Sequence, residues 1–186
     1  MKRFCDIILS MLTITVLSPV ILLIALTVKL TSYGPILYWS DRVGKNNKIF
    51  RMPKFRTMHT NTPALATHLL GDPDQYLTNV GKFLRRSSLD ELPQLLSVLV
   101  GKMSLVGPRP ALFNQFDLVE LRTQKGIHQL TPGLTGWAQI NGRDELPIPE
   151  KVRYDEYYLL NHCLVFDLKI ILLTVWKVVR VEGVSH

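Results

Sequence analysis

The chain has 186 residues, of which 47% are hydrophobic, and carries a formal net charge of +7. This length suits one domain with a sizeable core and excludes two full domains. The basic excess indicates an anionic partner: a nucleic acid, an anionic membrane surface or a phosphorylated small molecule. The two cysteines, Cys5 and Cys163, match neither a disulfide framework nor a metal-ligand spacing, which favours reduced thiols in a chain facing the cytoplasm.

An uncharged apolar stretch, residues 7–28, comes first in the chain. It is long enough to cross a hydrocarbon core about 30 Å thick and too long for the apolar part of a signal peptide. Ser18 and Pro19 interrupt its middle, where proline kinks a helix. Basic residues flank both ends, so the charges give no orientation. The residues alone leave open a spanning helix and a re-entrant helix that breaks at Ser18-Pro19 and returns to the cytoplasmic side.

Turn signals and periodicity predict the elements that follow. A β-hairpin is predicted over 36–58, around a turn at 44–47, and a loop over 60–79. Helices are predicted over 80–86, from 87–88 to about 100, over 112–125 and over 149–160, with turn-rich segments at 103–110 and 126–143. Residues 164–181 are apolar but charged, which indicates either a helix lying at a membrane interface, anchored by Trp176, or a buried helix.

Two adjacent carboxylates stand out in Ser88-Leu89-Asp90-Glu91, which also matches the capping-box pattern S-x-x-E. The ordinary explanation is a helix start with Ser88 or Asp90 as N-cap. With Ser88 as N-cap, Pro93 would stand at the fifth helical position, where its missing N–H costs a hydrogen bond. With Asp90 as N-cap, Pro93 would stand at the third position, where proline is tolerated. Either choice places both carboxylates at the positively polarised end of a helix.

Cations surround this pair in the sequence. Arg85 and Arg86 precede it, and Arg109 lies between two prolines that stiffen its backbone and suit it to bind a phosphate with two hydrogen bonds. Neighbouring cations keep a carboxylate ionised and nucleophilic, and two carboxylates suit a Mg²⁺ ion shared with substrate phosphates. Solvated surface charges and a rigid turn are the ordinary alternatives.

With these motifs the chain resembles a known family, the monotopic phosphoglycosyl transferases, or bacterial sugar transferases. Six blocks keep one order over nearly the whole chain: Ser18-Pro19, Lys54 to Met58, Arg86 to Gln94, Met103 to Pro110, Pro132 to Arg143, and Asp167 to Lys169. The resemblance implies an α+β, mainly helical fold of the minimal catalytic-core type. It also implies a re-entrant membrane helix hairpin over 1–32 and a catalytic domain with interfacial amphipathic helices over 33–186. That domain is expected on the cytoplasmic face of the bacterial inner membrane.

The activity implied by the resemblance is transfer of a sugar-1-phosphate from a UDP-sugar to undecaprenyl phosphate, with release of UMP, as the first membrane step of glycan assembly. Asp90 would be the nucleophile that forms a covalent sugar-phosphate intermediate. Glu91 would bind Mg²⁺ together with Asp90 and is a candidate base. The residues expected to hold phosphates or the nucleotide, or to support the site, are Lys54, Arg86, Arg109, Arg143 and Asp167.

The implied partners are the UDP-sugar, undecaprenyl phosphate, membrane lipids and downstream glycosyltransferases, with no nucleic acid and with a homodimer left open. Residues 144–149 depart from some members of the family, which leaves the sugar open; an N-acetylated deoxyamino sugar is the expectation. Three other hypotheses stand beside this one: a single-step transferase, a non-enzymatic basic membrane module, and a scaffold for glycan-assembly proteins.

Overall fold

The computed structural model describes residues 1–62, 73–142 and 146–180. The helices are α1 (Lys2–Thr31), α2 (Asn79–Arg86), α3 (Gln94–Leu99), α4 (Phe116–Gln124), α5 (Trp137–Ile140), α6 (Ile148–Asn161) and α7 (Leu164–Arg180). The strands are β1 (Leu37–Val43), β2 (Ile49–Phe55), β3 (Ser104–Val106) and β4 (Gly133–Thr135). Short 3-10 turns occur at Lys45–Asn47, Pro73–Tyr76, Leu89–Glu91 and Ile127–Gln129. The architecture is therefore mainly helical with short strands, as predicted.

Helix α1 is the one element of the described chain that is long and apolar enough to cross a membrane. It keeps helical structure through Pro19, where the hydroxyl of Ser18 donates to the carbonyl of Thr15 at 2.8 Å. Its central side chains are open to the surroundings, with exposed fractions of 65% for Val16 and 69% for Leu22. An apolar surface of this kind suits lipid rather than water.

Both ends of α1 are attached to the rest of the protein. At the first turns, Lys2 pairs with Asp167 at 2.6 Å, and the carboxylate of Asp6 accepts from the hydroxyl of Ser104 at 2.8 Å. Ile24 and Val28, near the other end, are buried in a core cluster with Phe55 and Leu84, members of β2 and α2.

Just beyond the last turn of α1, the guanidinium of Arg56 donates to the hydroxyl of Ser32 at 2.8 Å. A 30-residue helix is about 45 Å long when straight. Its first and last turns nevertheless contact one folded body, which is the arrangement expected of a re-entrant helix.

The predicted β-hairpin is confirmed, and its strands span residues 37–55 of the predicted region. Strands β1 and β2 pair antiparallel from Leu37 opposite Phe55 to Val43 opposite Ile49. Asn46 and Asn47 adopt positive φ values of 55° and 59° in the turn, a conformation that asparagine tolerates better than most residues.

Strands β3 and β4 fall inside the two segments predicted as turn-rich connectors, so that prediction was incomplete. They pair in parallel, Ser104 with Gly133 and Val106 with Thr135. The backbones come so close that a Cβ on Gly136 would lie 2.0 Å from the carbonyl oxygen of Gly107. The glycines of these segments therefore serve backbone packing and do not mark loops alone.

Ser88 precedes a helical turn, as predicted, but its side chain makes no capping hydrogen bond, and the turn is the 3-10 turn Leu89–Glu91 rather than the start of a helix that runs to about residue 100. Helix α2 ends at Arg86, and Ser88 follows it in the left-handed conformation, with φ of 57°, while its N–H donates to the carbonyl of Arg85. This is how a helix is closed at its C-terminal end. The carboxylates then lie in the 3-10 turn Leu89–Glu91, and Pro93 is the N-cap of α3.

The later helices match their predictions within a few residues, and α7 combines the two alternatives considered for it. Ile170 is fully buried in a core cluster with Val106 and Tyr158, whereas Val165 and Leu172 are exposed by 77% and 70%. The helix thus packs one face on the core and presents a second apolar face outward. Trp176 is 45% exposed, as an interfacial anchor would be.

Candidate active site

Glu91 is held by two cations from different parts of the chain. Its Oε1 accepts from the ammonium of Lys54 at 2.8 Å and from the guanidinium of Arg109 at 2.9 Å. Lys54 reaches it from β2, and Arg109 from the segment that follows β3. These charges hold the pKa of Glu91 well below its usual range, against the opposing effect of burial. Three residues predicted for the site therefore meet in one ion-pair cluster.

Asp90 has different surroundings from its neighbour. It is 6% exposed, and within the described part of the chain its carboxylate accepts no hydrogen bond. Burial raises the pKa of Asp90 to about 6, and the negative charge of Glu91 acts in the same direction, while Lys54, Arg85 and Arg109 oppose it. The two adjacent carboxylates are thus distinct: Glu91 is engaged by cations, and Asp90 is desolvated with uncommitted oxygens.

Of the two arginines that precede the pair, Arg85 faces it. Its guanidinium is half-buried, donates to the hydroxyl of Thr57 at 3.1 Å and interacts with the charges of both Asp90 and Glu91. Arg86, the predicted phosphate ligand, is exposed at the last turn of α2. Helical periodicity explains why Arg85 and not Arg86 faces the pair. Gly81 and Leu84 are the buried positions of α2, and Arg85 lies one turn after Gly81, on the same face.

The backbone of Arg109 is fixed by a buried ion pair that the sequence did not reveal. Arg122 on α4 donates to the carbonyl of Arg109 at 2.8 Å and pairs with Asp155 on α6 at 2.6 Å. Arg122 and Asp155 are 8% and 1% exposed. Neither neighbours the family motifs, and they lie 33 residues apart, so no local pattern connects them. Together, Arg122 and Asp155 fix the backbone carbonyl of Arg109 in place.

Asp167, predicted as a further acid of the site, belongs to a second polar cluster. It accepts from the phenol of Tyr158 at 2.6 Å and from Lys2 at 2.6 Å. Burial and the hydrogen bond to Asp167 raise the pKa of Tyr158. The contacts of Asp167 support the junction between α1 and the catalytic body rather than the carboxylate pair.

Arg143, the remaining predicted ligand, lies outside the described residues. Part of the predicted loop, residues 63–72, lies outside them as well.

The chemistry of the donors fits a magnesium ion. The described residues contain no group of three or more candidate metal-ligand side chains. Mg²⁺, however, is commonly bound by one or two carboxylates together with substrate phosphates and water. Among the residues that the structure describes, Glu91 Oε2 receives only a contact of 3.5 Å from Arg109, which leaves acceptor capacity beside Asp90.

Comparison with known proteins identifies the family of the chain. A family model described as bacterial sugar transferase matches residues 1–181. The UDP-glucose:undecaprenyl-phosphate glucose-1-phosphate transferase of Escherichia coli (strain K12) is 43% identical, over 95% of this chain and 40% of its own length. The UDP-N-acetylgalactosamine-undecaprenyl-phosphate N-acetylgalactosaminephosphotransferase of Aeromonas hydrophila is 38% identical, over 94% and 42%.

A smaller relative matches along almost its whole length. An uncharacterized sugar transferase of Bacillus subtilis (strain 168) is 40% identical over 100% of this chain and 91% of its own length. The chain therefore spans about two fifths of the two larger relatives and nearly all of this one. With a family match that covers the carboxylate pair, its cations and both ends of α1, the chain belongs to the bacterial sugar transferase family.

Proposed function

We propose that this protein transfers a sugar-1-phosphate from a UDP-sugar to undecaprenyl phosphate and releases UMP. The observation that carries the proposal is the unequal environment of two adjacent carboxylates among three cations. The substrate class rests on the names of the two larger relatives, which describe transferases of glucose-1-phosphate or N-acetylgalactosamine phosphate to undecaprenyl phosphate. Those names differ in the sugar, so the sugar that this chain transfers is to be identified by the UDP-sugar panel described below.

Asp90 is the proposed nucleophile. A carboxylate oxygen of Asp90 attacks the phosphorus that bears the sugar, and the bond from that phosphorus to the bridging oxygen breaks, so that UMP leaves with the electron pair. The uncommitted oxygens and the raised pKa of Asp90 support this role, because a desolvated carboxylate is more basic than a paired one. A phosphate oxygen of undecaprenyl phosphate then attacks the same phosphorus and displaces the Asp90 carboxylate.

The other residues bind and orient. Glu91 fixes Lys54 and Arg109 around the reacting phosphorus, and Arg85 adds a third cation toward the diphosphate. Glu91, with Asp90, is the proposed holder of Mg²⁺, which would neutralise phosphate charge when bound. Arg86, Arg143 and Asp167 remain predicted contributors, and a homodimer and downstream glycosyltransferases remain predicted partners.

The proposed location is the inner membrane, with the catalytic body on the cytoplasmic face. Support comes from the exposed apolar middle of α1, from its two attached ends and from the outward apolar face of α7. A re-entrant helix satisfies these contacts, whereas a spanning helix would have to place its ends on opposite sides of the bilayer.

The deciding experiment measures UMP release by the purified full chain from a panel of UDP-sugars, with undecaprenyl phosphate in detergent, with Mg²⁺ and with a chelator. We expect release with at least one UDP-sugar, dependence on Mg²⁺, and an enzyme adduct of sugar-phosphate mass when the acceptor is omitted. Asp90→Asn should abolish both the release and the adduct. An active Asp90→Asn variant, or release that requires both substrates bound together, would exclude the covalent route in favour of single-step transfer.

A further inference from the structure

An apolar groove of about 530 Å³ lies between α1 and the catalytic body. Among the described residues, ten line it, and nine of these are apolar; the tenth is Lys29. A volume of this size is typical of small-molecule sites. A groove that is apolar except for one cation matches an amphiphile with an anionic head and a hydrocarbon chain.

Helix α1 contributes one continuous face to the groove. Its lining residues, Ile14, Ile21, Ala25 and Lys29, follow one another at intervals of seven, four and four, the spacing of a single helical face. They lie on both sides of Pro19, so the groove runs along the helix across the Ser18-Pro19 position. It is therefore continuous with the exposed apolar part of α1 that we assign to the lipid.

Part of the opposite wall of the groove is formed by chain neighbours of the active-site residues. Phe55 follows Lys54 on β2, and Leu92 and Pro93 follow Glu91. Because successive side chains of a strand point to opposite faces, Phe55 faces the groove while Lys54 faces the carboxylates. The carboxylate turn and the groove wall meet at Leu92.

We propose that this groove holds the first isoprene units of the polyprenyl phosphate acceptor, with its phosphate reaching the Asp90–Glu91 turn past Leu92. The inference rests on the proposed function and adds the place of the acceptor chain. Lys29 supplies attraction for the phosphate on its way to the site, and the nine apolar residues supply the hydrophobic contact. The remaining isoprene units lie in the bilayer, beyond the groove.

The two chemical steps provide a direct test, because only the second one uses the acceptor. The full chain is placed in nanodiscs of phosphatidylethanolamine and phosphatidylglycerol, with the UDP-sugar that gives UMP release in the panel described above as donor. Ala25→Phe and Leu96→Trp each fill part of the groove, and Leu96 is 52% exposed, so the second variant places little strain on the fold. Leu26→Trp, at a 56% exposed position of α1 outside the groove lining, is the matched control.

We expect first-turnover UMP release without acceptor to be unchanged in all three variants. The KM for undecaprenyl phosphate should rise by roughly tenfold or more in the two groove variants and stay unchanged in Leu26→Trp. An unchanged acceptor KM in Leu96→Trp with normal UMP release would overturn the proposal. Absence of UMP release by the unmodified chain with every UDP-sugar of the panel would instead count against the proposed function.

A second measurement does not depend on catalysis. Polyprenyl phosphate with a diazirine in its first isoprene units should label peptides that contain Ala25 or Leu96, and unlabelled polyprenyl phosphate should compete. Competition by excess phosphatidylglycerol to the same extent would show that bilayer acyl chains occupy the groove, and the proposal would fail.

Discussion

Asp90 and Glu91 are neighbours in the chain whose pKa values are shifted in opposite directions, and their amide variants should affect stability with opposite sign. The pKa of Asp90 is raised from 3.8 to about 6, so its contribution to stability is fully present below about pH 4 and is lost as the pH rises through about 6. Glu91 has a lowered pKa, so its contribution is present at neutral pH and is lost only on strong acidification.

In metal-free buffer at pH 7.5, therefore, Asp90→Asn should stabilise the protein by on the order of 1–3 kcal/mol, whereas at pH 4 it should have little effect. Glu91→Gln should destabilise the protein by about 1–3 kcal/mol at pH 7.5, because Lys54 and Arg109 lose their anionic partner. Thermal unfolding in detergent with a chelator, followed from pH 4 to pH 8, measures both changes. Destabilisation of the same size in both variants would contradict the unequal environments described above.

The Arg122–Asp155 pair gives a second prediction at the scale of residues. Arg122→Met removes the ion-pair partner of buried Asp155, which is then left with the charge of Lys151 near it, and should destabilise the protein by about 3–5 kcal/mol. The double variant Arg122→Met with Asp155→Leu removes both charges and should recover most of that stability. Recovery of stability separates the structural role of the pair from its effect on the site.

The same double variant should remain impaired in catalysis, because the carbonyl of Arg109 still lacks its donor. We expect the KM for the UDP-sugar to be raised by roughly tenfold, the equivalent of one well-placed charged hydrogen bond. Steady-state UMP release measures this change. A double variant with both normal stability and normal KM would show that Arg122 is structural only.

At the scale of elements, the sequence predicted those formed by local signals. The hairpin turn and the periodic helices α2, α4 and α6 were found within a few residues. Strands β3 and β4 were missed because each has three residues, and their parallel pairing joins segments about 29 positions apart through glycine contacts that no local pattern encodes. The helix start predicted at Ser88 is only a 3-10 turn, because Ser88 also closes α2 with a positive φ that the sequence pattern does not encode.

The close contact between the β3 and β4 segments gives a prediction for Gly136→Ala. The added Cβ would lie 2.0 Å from the carbonyl oxygen of Gly107, and backbone atoms cannot move aside as a flexible side chain can. We expect severe destabilisation, on the order of 3 kcal/mol or more. Gly126→Asn is the comparison: its φ of 75° is one that asparagine tolerates, and the nearest atom lies 3.9 Å from the added Cβ. Similar unfolding temperatures for the two variants would contradict this explanation.

At the scale of the whole molecule, the attachment of both ends of α1 determines which side of the membrane each end faces. The N-terminal attachment uses Lys2 and Asp6, whose partners Asp167 and Ser104 lie within the catalytic body. The contact of Asp6 with Ser104 is buried and that of Lys2 with Asp167 is partly buried, so breaking them is costly: each partner would lose its hydrogen bond or counter-charge. The first residues and the catalytic body should therefore be accessible from the same side.

The chain offers its own reference for a test of this topology, because Cys163 is exposed in the catalytic body. Phe4 is 67% exposed in the first turn of α1, and Phe4→Cys combined with Cys5→Ser and Cys163→Ser gives a reporter at that end. In inside-out vesicles, a membrane-impermeant maleimide should label this reporter. It should also label Cys163 there, in the variant that carries Cys5→Ser alone. In intact spheroplasts it should label neither cysteine. Labelling of the Phe4→Cys reporter from the outside, with Cys163 still labelled only from the inside, would establish a spanning helix instead. The contacts of Lys2 and Asp6 with the catalytic body could not then form in the membrane.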